Sequence, residues 1–235
     1  TAPREATMQA WIYTLIPAAA AILGAAIAAN LRPGAVFVSA IQHLAAGVVF
    51  AAAAGEILPD LKHVGSPWAT LVGGAVGVAA MLGVRMLERR AAGPVGLLTV
   101  TGIDILVDGL VLGIAFASAA RAGFLLTVAL TVEVLFLGLT VASELGEGGA
   151  SKWKVVGATA GLVLLLPLGA LLGGPVGSMP APVQGGFLAF GLIALLYLVT
   201  EELLVEAHES EDRPWVTAMF FVGFLLLLLL DELVG

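Results

Sequence analysis

The chain has 235 residues, of which 60% are hydrophobic and 11% charged, and its formal net charge is −7 at pH 7. This composition is more apolar than a soluble fold requires, and it indicates a polytopic, all-α integral membrane protein whose partner is the lipid bilayer. The absence of cysteine excludes disulfides, thiolate metal sites and cysteine catalysis, and the lack of a basic patch argues against binding to nucleic acid.

Eight apolar segments follow one another along the chain, each long enough to cross a bilayer about 30 Å thick. We number them spans 1 to 8, over residues 8–30, 36–60, 68–89, 95–119, 123–146, 153–174, 183–207 and 215–234. The connections between them are short and rich in Gly and Pro. We therefore expect a single transmembrane domain over residues 1–235, with no soluble domain inserted.

The basic residues predict the orientation of the bundle. The side that holds the N-terminus carries few of them: Arg4, Lys62 and Arg121. The opposite side carries more: Arg32, Arg85, Arg89, Arg90, Lys152, Lys154 and Arg213. Because Lys and Arg collect on the cytoplasmic side, the second side should be cytoplasmic, in a multi-pass protein of the inner (cell) membrane with both termini outside. Arg85, Arg89 and Arg90 are expected to be snorkelling anchors.

A weak internal repeat relates spans 1–3 to spans 6–8. Glu56-Ile-Leu-Pro-Asp60 ends span 2 and Pro67-Trp-Ala-Thr70 opens span 3; Glu202-Leu-Leu-Val-Glu206 ends span 7 and Pro214-Trp-Val-Thr217 opens span 8. The two copies fall on opposite faces of the membrane, which predicts an inverted repeat around spans 4 and 5, in a 3+2+3 arrangement. Inverted repeats are typical of secondary transporters that work by alternating access around a site near the midplane.

Span 4 carries two aspartates, Asp104 and Asp108, near its middle. A charge at the bilayer centre costs about 2.5–3.5 kcal/mol on insertion scales, so two on one helix require a reason. Their i,i+4 spacing places both on one face, and Gly109-x-x-x-Gly113 lets a neighbouring helix approach closely. Such a polar stripe suits an ion site, although two protonated aspartates bonded to their neighbours would also explain it.

Span 5 places a third acid, Glu133, close to its centre, and Thr140 and Glu144 follow on about the same face. Asp104, Asp108 and Glu133 should therefore form a midplane cluster. Three carboxylates cannot all stay ionised in a low-dielectric site without a cation. The sequence thus predicts a cation site built from spans 4 and 5.

Further acids and histidines extend from this centre toward both membrane faces. Glu56 lies toward the outside of span 2, and Glu202 lies toward the inside of span 7. The remaining members of this candidate ion pathway are Asp60, Glu201, Glu206, His43 and His208. Interfacial anchoring is an equally simple explanation for Glu56, Asp60, Glu206 and His208, and packing with a hydrogen bond is one for His43.

Several motifs resemble those of the ZIP divalent-metal transporters. Their second span resembles two motifs of this chain, Gln42-His-Leu-Ala-Ala-Gly47 and Glu56-Ile-Leu-Pro59. Their fourth-span motif H-N-x-P-E-G is similar to Asp104-Ile-Leu-Val-Asp108-Gly109. Their seventh-span motif H-E-x-x-P-E is similar to Glu201-Glu202-x-x-x-Glu206. Glu133 with Gly138 matches the fifth-span motif. The resemblance covers nearly the whole chain. It implies that Asp104, Asp108, Glu133 and Glu202 bind a transported Zn, Mn, Fe or Cd ion, and it allows a homodimer.

The chain also departs from the ZIP pattern. Asp104 and Glu201 stand where the family has histidines, Leu137 stands where the fifth-span glutamate is expected, and the His-rich loop between spans 3 and 4 is missing. The ligands that remain are oxygen atoms, which suit harder ions than imidazole does. We therefore expect broadened selectivity, with Mn²⁺ or Fe²⁺ competing better than in a His-containing relative.

Other functions compete with divalent-metal transport. The acids could form the proton relay of a proton- or sodium-coupled carrier for another small solute, but the spans offer few Asn, Gln, Ser or Tyr residues to bind one. An intramembrane metal-dependent hydrolase would usually need two or three His or Cys ligands, and His43 alone lies inside the membrane. A structural or sensor protein is a further alternative. We expect neither enzymatic activity nor a resident cofactor.

The predicted topology can be tested by single-cysteine labelling, because the chain has no native cysteine. Both termini should react with a membrane-impermeant thiol reagent from outside, and the loops at 32–34, 89–94, 148–153 and 208–214 should react only from inside. Labelling of position 91 from outside would contradict the orientation.

Overall fold

The structure, a computed structural model, describes residues 2–31, 34–64, 66–90, 93–210 and 213–234. Within these ranges the protein is helical without strands, and eight segments are long and apolar enough to cross a membrane. The predicted all-α membrane class and the number of spans are thus confirmed. Some positions used in the topology prediction lie outside the described residues, namely Arg32 and positions 33, 91, 92, 211 and 212.

The helices agree with the predicted spans to within about one turn, except that span 1 begins earlier. Their bounds are Ala2–Tyr13 and Leu15–Leu31 in span 1, Ala35–Ala52 and Leu58–Val64 in span 2, Pro67–Arg90 in span 3, Gly93–Ser118 in span 4, Ala120–Glu147 in span 5, Lys152–Leu162 and Leu165–Gly173 in span 6, Ala181–Tyr197 and Leu204–Ala207 in span 7, and Pro214–Val234 in span 8. A 3₁₀ segment, Gly174–Ser178, extends span 6.

A short break interrupts the helix in span 1 and in span 6. The sequence analysis predicted a continuous helix for each of these spans. The interruptions lie at Thr14 and at residues 163–164, and Pro17 and Pro167 follow them. A proline has no N–H and its ring crowds the carbonyl four residues earlier, which is Tyr13 in one span and Val163 in the other. The break thus falls where each proline disturbs the hydrogen-bond ladder.

Spans 2 and 7 each contain a π-helical segment. These segments are Ala53–Ile57 and Leu198–Leu203, and each separates a long α-helix from a short one. Glu56 lies in the first segment, and Glu201 and Glu202 lie in the second. A π segment adds a residue to the turn and is frequent at functional sites, so the acids within it face a direction that regular α-helical spacing would not give.

Span 4 packs directly against span 6 through glycines. A Cβ atom added at Gly109 would lie 2.1 Å from the carbonyl oxygen of Leu166, and one at Gly113 would lie 2.3 Å from that of Ala170. On the facing helix, a Cβ at Gly169 would lie 2.2 Å from the carbonyl oxygen of Leu106. The close approach predicted from the Gly-x-x-x-Gly spacing is confirmed, and span 6 is the partner.

Three other helix pairs meet in the same way. Spans 1 and 5 touch at Gly24 and Gly138, spans 2 and 8 at Gly47 and Gly223, and spans 3 and 7 at Gly73; an added Cβ would come within 1.9–2.1 Å of the partner backbone at each. If spans 1, 2, 3 and 4 are exchanged with spans 6, 7, 8 and 5, respectively, the same four helix pairs result. An inverted repeat requires this symmetry. The 3+2+3 arrangement remains a prediction.

The packing separates an inner layer from a lipid-facing one. Much of spans 2, 4 and 5 is buried, whereas spans 3 and 8 expose large apolar side chains such as Trp68, Leu71, Phe221 and Leu225. Exposed apolar side chains are favourable when the surrounding solvent is lipid. Spans 4 and 5, which carry the acids predicted to lie at the midplane, are therefore shielded by the other helices.

The close contact of spans 4 and 6 predicts that Gly109→Ala destabilises the fold. The added methyl group would meet the backbone of Leu166, and overpacking of this kind costs about 1–3 kcal/mol. Gly161→Ala, in span 6, is the matched control, because an added Cβ there has nothing within 4 Å. Thermal unfolding of the purified protein in detergent measures both. Equal midpoints for the two variants would contradict the packing.

Candidate metal site

The structure brings together the three acids that the sequence places at the midplane. Asp104, Asp108 and Glu133 each offer a carboxylate oxygen, and these three atoms lie within 4.8 Å of one another. Asp108 and Glu133 are only 3% and 2% exposed, whereas Asp104 is half-buried. The distances are short enough for one cation to contact all three carboxylates.

Core packing fixes the positions of these acids. Asp108 lies on the same face of span 4 as Ile105 and Leu112, which stand three residues before it and four after it, and both are buried. Glu133 stands in span 5 between Leu130 and Val134, which are also buried. Because the neighbouring apolar side chains point into the core, the two carboxylates must do so as well.

Two carboxylate oxygens of the cluster are left without a hydrogen bond. Asp108 Oδ2 and Glu133 Oε2 are buried and have no hydrogen-bond partner among the described residues. Buried polar atoms are generally paired, and leaving one unpaired costs about 1–3 kcal/mol, or more when the group is charged. A cation held between the two side chains would satisfy both oxygens.

A cavity of about 410 Å³ leads away from the cluster. Asp104 lines it, together with Thr140, Glu144 and Glu202, and the cavity reaches Pro94 and Gly148 at the ends of the helices. Its lining does not include Asp108 or Glu133. Asp104 is therefore the cluster member that faces the cavity, and the two buried acids lie behind it.

A second, larger cavity of about 880 Å³ adjoins the first. Four side chains line both cavities: Thr140, Glu144, Glu202 and Glu206. The second cavity extends to Arg89, Glu209 and Ser210, at the membrane side that is richer in basic residues. Glu202, which the resemblance implies as a ligand, stands on this route and does not belong to the group of three described above.

Glu201 takes a different position from Glu202, although the two are adjacent. It lines only the second cavity, where Arg85 of span 3 forms an ion pair with it. Arg85 lies on the cavity wall, in contact with span 7, and is not simply an anchor at the lipid interface. The two residues are 116 positions apart, and the sequence alone gives no signal of this pairing.

Spans 2 and 7 are joined at one end of the bundle, which we call the inner end because the predicted orientation places it on the cytoplasmic side. The amide of Gln42 donates to Glu206 Oε2 at 2.7 Å, and the hydroxyl of Ser39 donates to the carbonyl oxygen of Ala207 at 2.6 Å. His43 is buried, with Nδ1 2.9 Å from the carbonyl oxygen of Ser39. The sequence analysis did not single out Ser39, and it named Gln42 only as the start of a motif, without this contact.

The two pathway histidines lie beside each other at this inner junction. The ring centroids of His43 and His208 are 5.0 Å apart, and His208 is exposed, with Nδ1 2.6 Å from the carbonyl oxygen of Leu204. Neither histidine belongs to the acid cluster or lines the two inner cavities. Packing and local hydrogen bonds account for the position of His43.

The remaining pathway acids lie at the opposite end of the bundle. Glu56 lines a separate cavity of about 160 Å³ together with Asp231, and Arg121 Nε donates to Asp231 Oδ1 at 2.8 Å. Asp60 accepts a hydrogen bond from the hydroxyl of Ser118. The predicted pathway residues thus divide into an outer group and an inner group, with the acid cluster between them in the chain's central spans.

Comparison with known proteins finds similarity to a zinc transporter. Zinc transporter ZIPB of Bordetella bronchiseptica is 31% identical to this chain over 134 residues, which cover 55% of this chain and 42% of that protein. The match thus spans less than half of the relative's length. No family model matches the chain. The chain is thus similar to part of a zinc transporter, which agrees with the resemblance of its motifs to those of ZIP proteins.

Proposed function

We propose that this protein transports a divalent metal cation across the membrane. The observation that carries the proposal is the buried cluster of Asp104, Asp108 and Glu133, in which two carboxylate oxygens have no hydrogen-bond partner. The substrate ion supplies the positive charge that these acids need, and Glu202 approaches it from the inner side. The similarity to a zinc transporter supports the same assignment.

The ligand set favours broad selectivity among divalent ions. All three cluster residues offer oxygen, which suits Mn²⁺, Mg²⁺ and Ca²⁺, whereas imidazole favours Zn²⁺, Cu²⁺ and Ni²⁺. Zn²⁺ still binds carboxylates, and the Irving–Williams order favours it over Mn²⁺ at a given site. The transported ions are therefore Zn²⁺ together with Mn²⁺, Fe²⁺ or Cd²⁺, with weaker discrimination against manganese and iron than in a His-containing site.

The cavities favour a conformation that is open toward the inner side. Two connected cavities run from Asp104 past Glu202 to the inner helix ends. Toward the outside, Leu125 borders the small outer cavity, and the next two turns of span 5 carry the fully buried Leu126, Ala129 and Leu130 before reaching Glu133. Eight residues correspond to about 12 Å of apolar helix, which seals the cluster from the outer cavity.

Because the cavities reach the acid cluster from the inner side and not from the outer side, the proposed mechanism is alternating access. In the proposed cycle, Glu56 is reached from outside in one state and Glu202 from inside in the other. The π segments of spans 2 and 7, the proline breaks of spans 1 and 6, and the exchange symmetry of the helix pairs support an inverted repeat. Placement in the inner membrane with both termini outside completes the proposal, and a homodimer stays a prediction.

Transport fits the geometry better than metal-dependent hydrolysis does. The three side chains that could share an ion are all carboxylates, whereas a catalytic zinc usually has two or three His or Cys ligands. His43 lies at the inner ends of spans 2 and 7, where it contacts Ser39 and His208. The histidine that a hydrolase would require therefore stands apart from the acids.

The first test of this function is Asp108→Asn. The substitution keeps the size of the side chain and removes one charge from the buried cluster, so metal flux into proteoliposomes should fall by roughly tenfold or more, the equivalent of about 1.4 kcal/mol. Flux is measured in turn with Zn²⁺, Mn²⁺, Fe²⁺, Co²⁺, Cd²⁺, Mg²⁺ and Ca²⁺. Glu232→Gln, at an exposed carboxylate, is the control. Unchanged flux in Asp108→Asn would contradict the site.

A second test concerns selectivity. Asp104 faces the 410 Å³ cavity, so Asp104→His has room for an imidazole and should raise the ratio of Zn²⁺ flux to Mn²⁺ flux. Asp104→Asn separates the gain of the ring from the loss of the charge, and it should lower both fluxes without raising the ratio. If Asp104→His leaves the ratio at its wild-type value, Asp104 does not contact the ion.

A further inference from the structure

The two histidines at the inner junction of spans 2 and 7 have the same local arrangement. His43 Nδ1 lies 2.9 Å from the carbonyl oxygen of Ser39, and His208 Nδ1 lies 2.6 Å from that of Leu204. A carbonyl oxygen only accepts hydrogen bonds, so Nδ1 carries the hydrogen in each ring, and the lone pair of the neutral imidazole is on Nε2. Both rings therefore have the tautomer that binds a metal ion through Nε2.

The Nε2 atom of His43 has no hydrogen-bond partner. His43 is only 3% exposed, and its Nε2 atom is buried without a partner among the described residues. Buried polar atoms are generally paired, because an unpaired one has lost its contact with water and gained nothing in exchange. The hydrogen bond at Nδ1 explains how the ring is held, but it leaves the other nitrogen without a ligand.

The separation of the two rings is the one that a shared metal ion requires. Their centroids are 5.0 Å apart. A tetrahedral Zn²⁺ bound by two imidazoles lies about 3.2 Å from each ring centre, which places the two centres about 5.2 Å apart. An edge-to-face contact between the rings gives a similar distance, but it leaves Nε2 of His43 unpaired. A shared ion accounts for both the distance and the unpaired nitrogen.

Ser39 positions both histidines. Its carbonyl oxygen accepts the hydrogen bond of His43 Nδ1, and its hydroxyl donates at 2.6 Å to the carbonyl oxygen of Ala207, the residue before His208. In metal sites, a hydrogen bond at the ring nitrogen that does not bind the ion fixes the orientation of the imidazole. The junction thus holds the two rings in place without an ion.

We propose that His43 and His208 bind a transition metal ion between their Nε2 atoms and thereby link span 2 to span 7. Imidazole ligands favour Zn²⁺, Cu²⁺ and Ni²⁺ over Mn²⁺, Mg²⁺ and Ca²⁺. His208 is exposed, so the ion enters from the side of this ring, and water completes its coordination. The site does not depend on the proposed function, because neither histidine belongs to the acid cluster or lines the two inner cavities.

The experiment uses Cu²⁺ as the probe and electron paramagnetic resonance as the readout, on purified protein in detergent without a histidine tag. The acid cluster offers only oxygen ligands, so splitting by nitrogen nuclei reports histidine. The wild-type spectrum should show two coordinated nitrogens, and His208→Gln should lose this signal. The control is His63→Gln, at an exposed histidine whose Nδ1 lies 2.8 Å from the carbonyl oxygen of Pro59; it should keep the signal. A two-nitrogen signal that is absent from the wild type, or that persists in His208→Gln, overturns the proposal.

A second measurement separates this inference from the proposed function. Asp108→Asn disables the acid cluster but should keep the two-nitrogen signal, and Zn²⁺ should still raise its thermal midpoint in detergent, because an ion that binds only the folded state stabilises it. Mg²⁺ should not, and Asp108→Asn/His208→Gln should not respond to Zn²⁺. An Asp108→Asn midpoint that Zn²⁺ leaves unchanged contradicts the histidine site, whereas metal flux unchanged in Asp108→Asn contradicts only the proposed function. His208 is exposed, so its substitution tests the site without a change in the core.

Discussion

Asp108 and Glu133 place two carboxyl groups side by side where little water reaches them, and the rest of the bundle accommodates this contact. Burial of charge without a partner costs several kcal/mol, and like charges at short range add to the cost. Each of the two helices that carry these acids is fixed by direct backbone contact with another helix: span 4 against span 6 at Gly109 and Gly113, and span 5 against span 1 at Gly138. Packing therefore fixes the helices that carry the two carboxyl groups, and a cation between these groups would offset the cost of their burial.

Much of the fold and part of the site could be predicted from the sequence. Long apolar runs fix the number of spans, because a helix that crosses the hydrocarbon needs a known length. Asp104, Asp108 and Glu133 stand out because charge inside such runs is rare, and the i,i+4 spacing of the aspartates places them on one face. The close helix contact at the glycines of span 4 could be predicted from their spacing, but the identity of the partner helix could not.

Tertiary packing explains what the sequence analysis missed. Arg85 lies near the end of span 3, where an arginine is usually an anchor, and its contact with Glu201 depends on how spans 3 and 7 cross. The π segments of spans 2 and 7 change the direction of Glu56, Glu201 and Glu202 without any simple signature in composition. The proximity of His43 and His208 likewise depends on the junction of spans 2 and 7, which joins residues far apart in the chain.

Pro59, which lies two residues after the π segment of span 2, has a consequence for hydration. A proline donates no hydrogen bond, so the turn before it contains one more backbone carbonyl than it has donors, and hydrocarbon cannot supply the missing partner. Ala54 and Gly55, in that turn, line the 160 Å³ outer cavity, which exceeds the roughly 30 Å³ that one water molecule occupies in the liquid. Water drawn to this carbonyl would bring the outer aqueous phase to the level of Glu56, well inside the span.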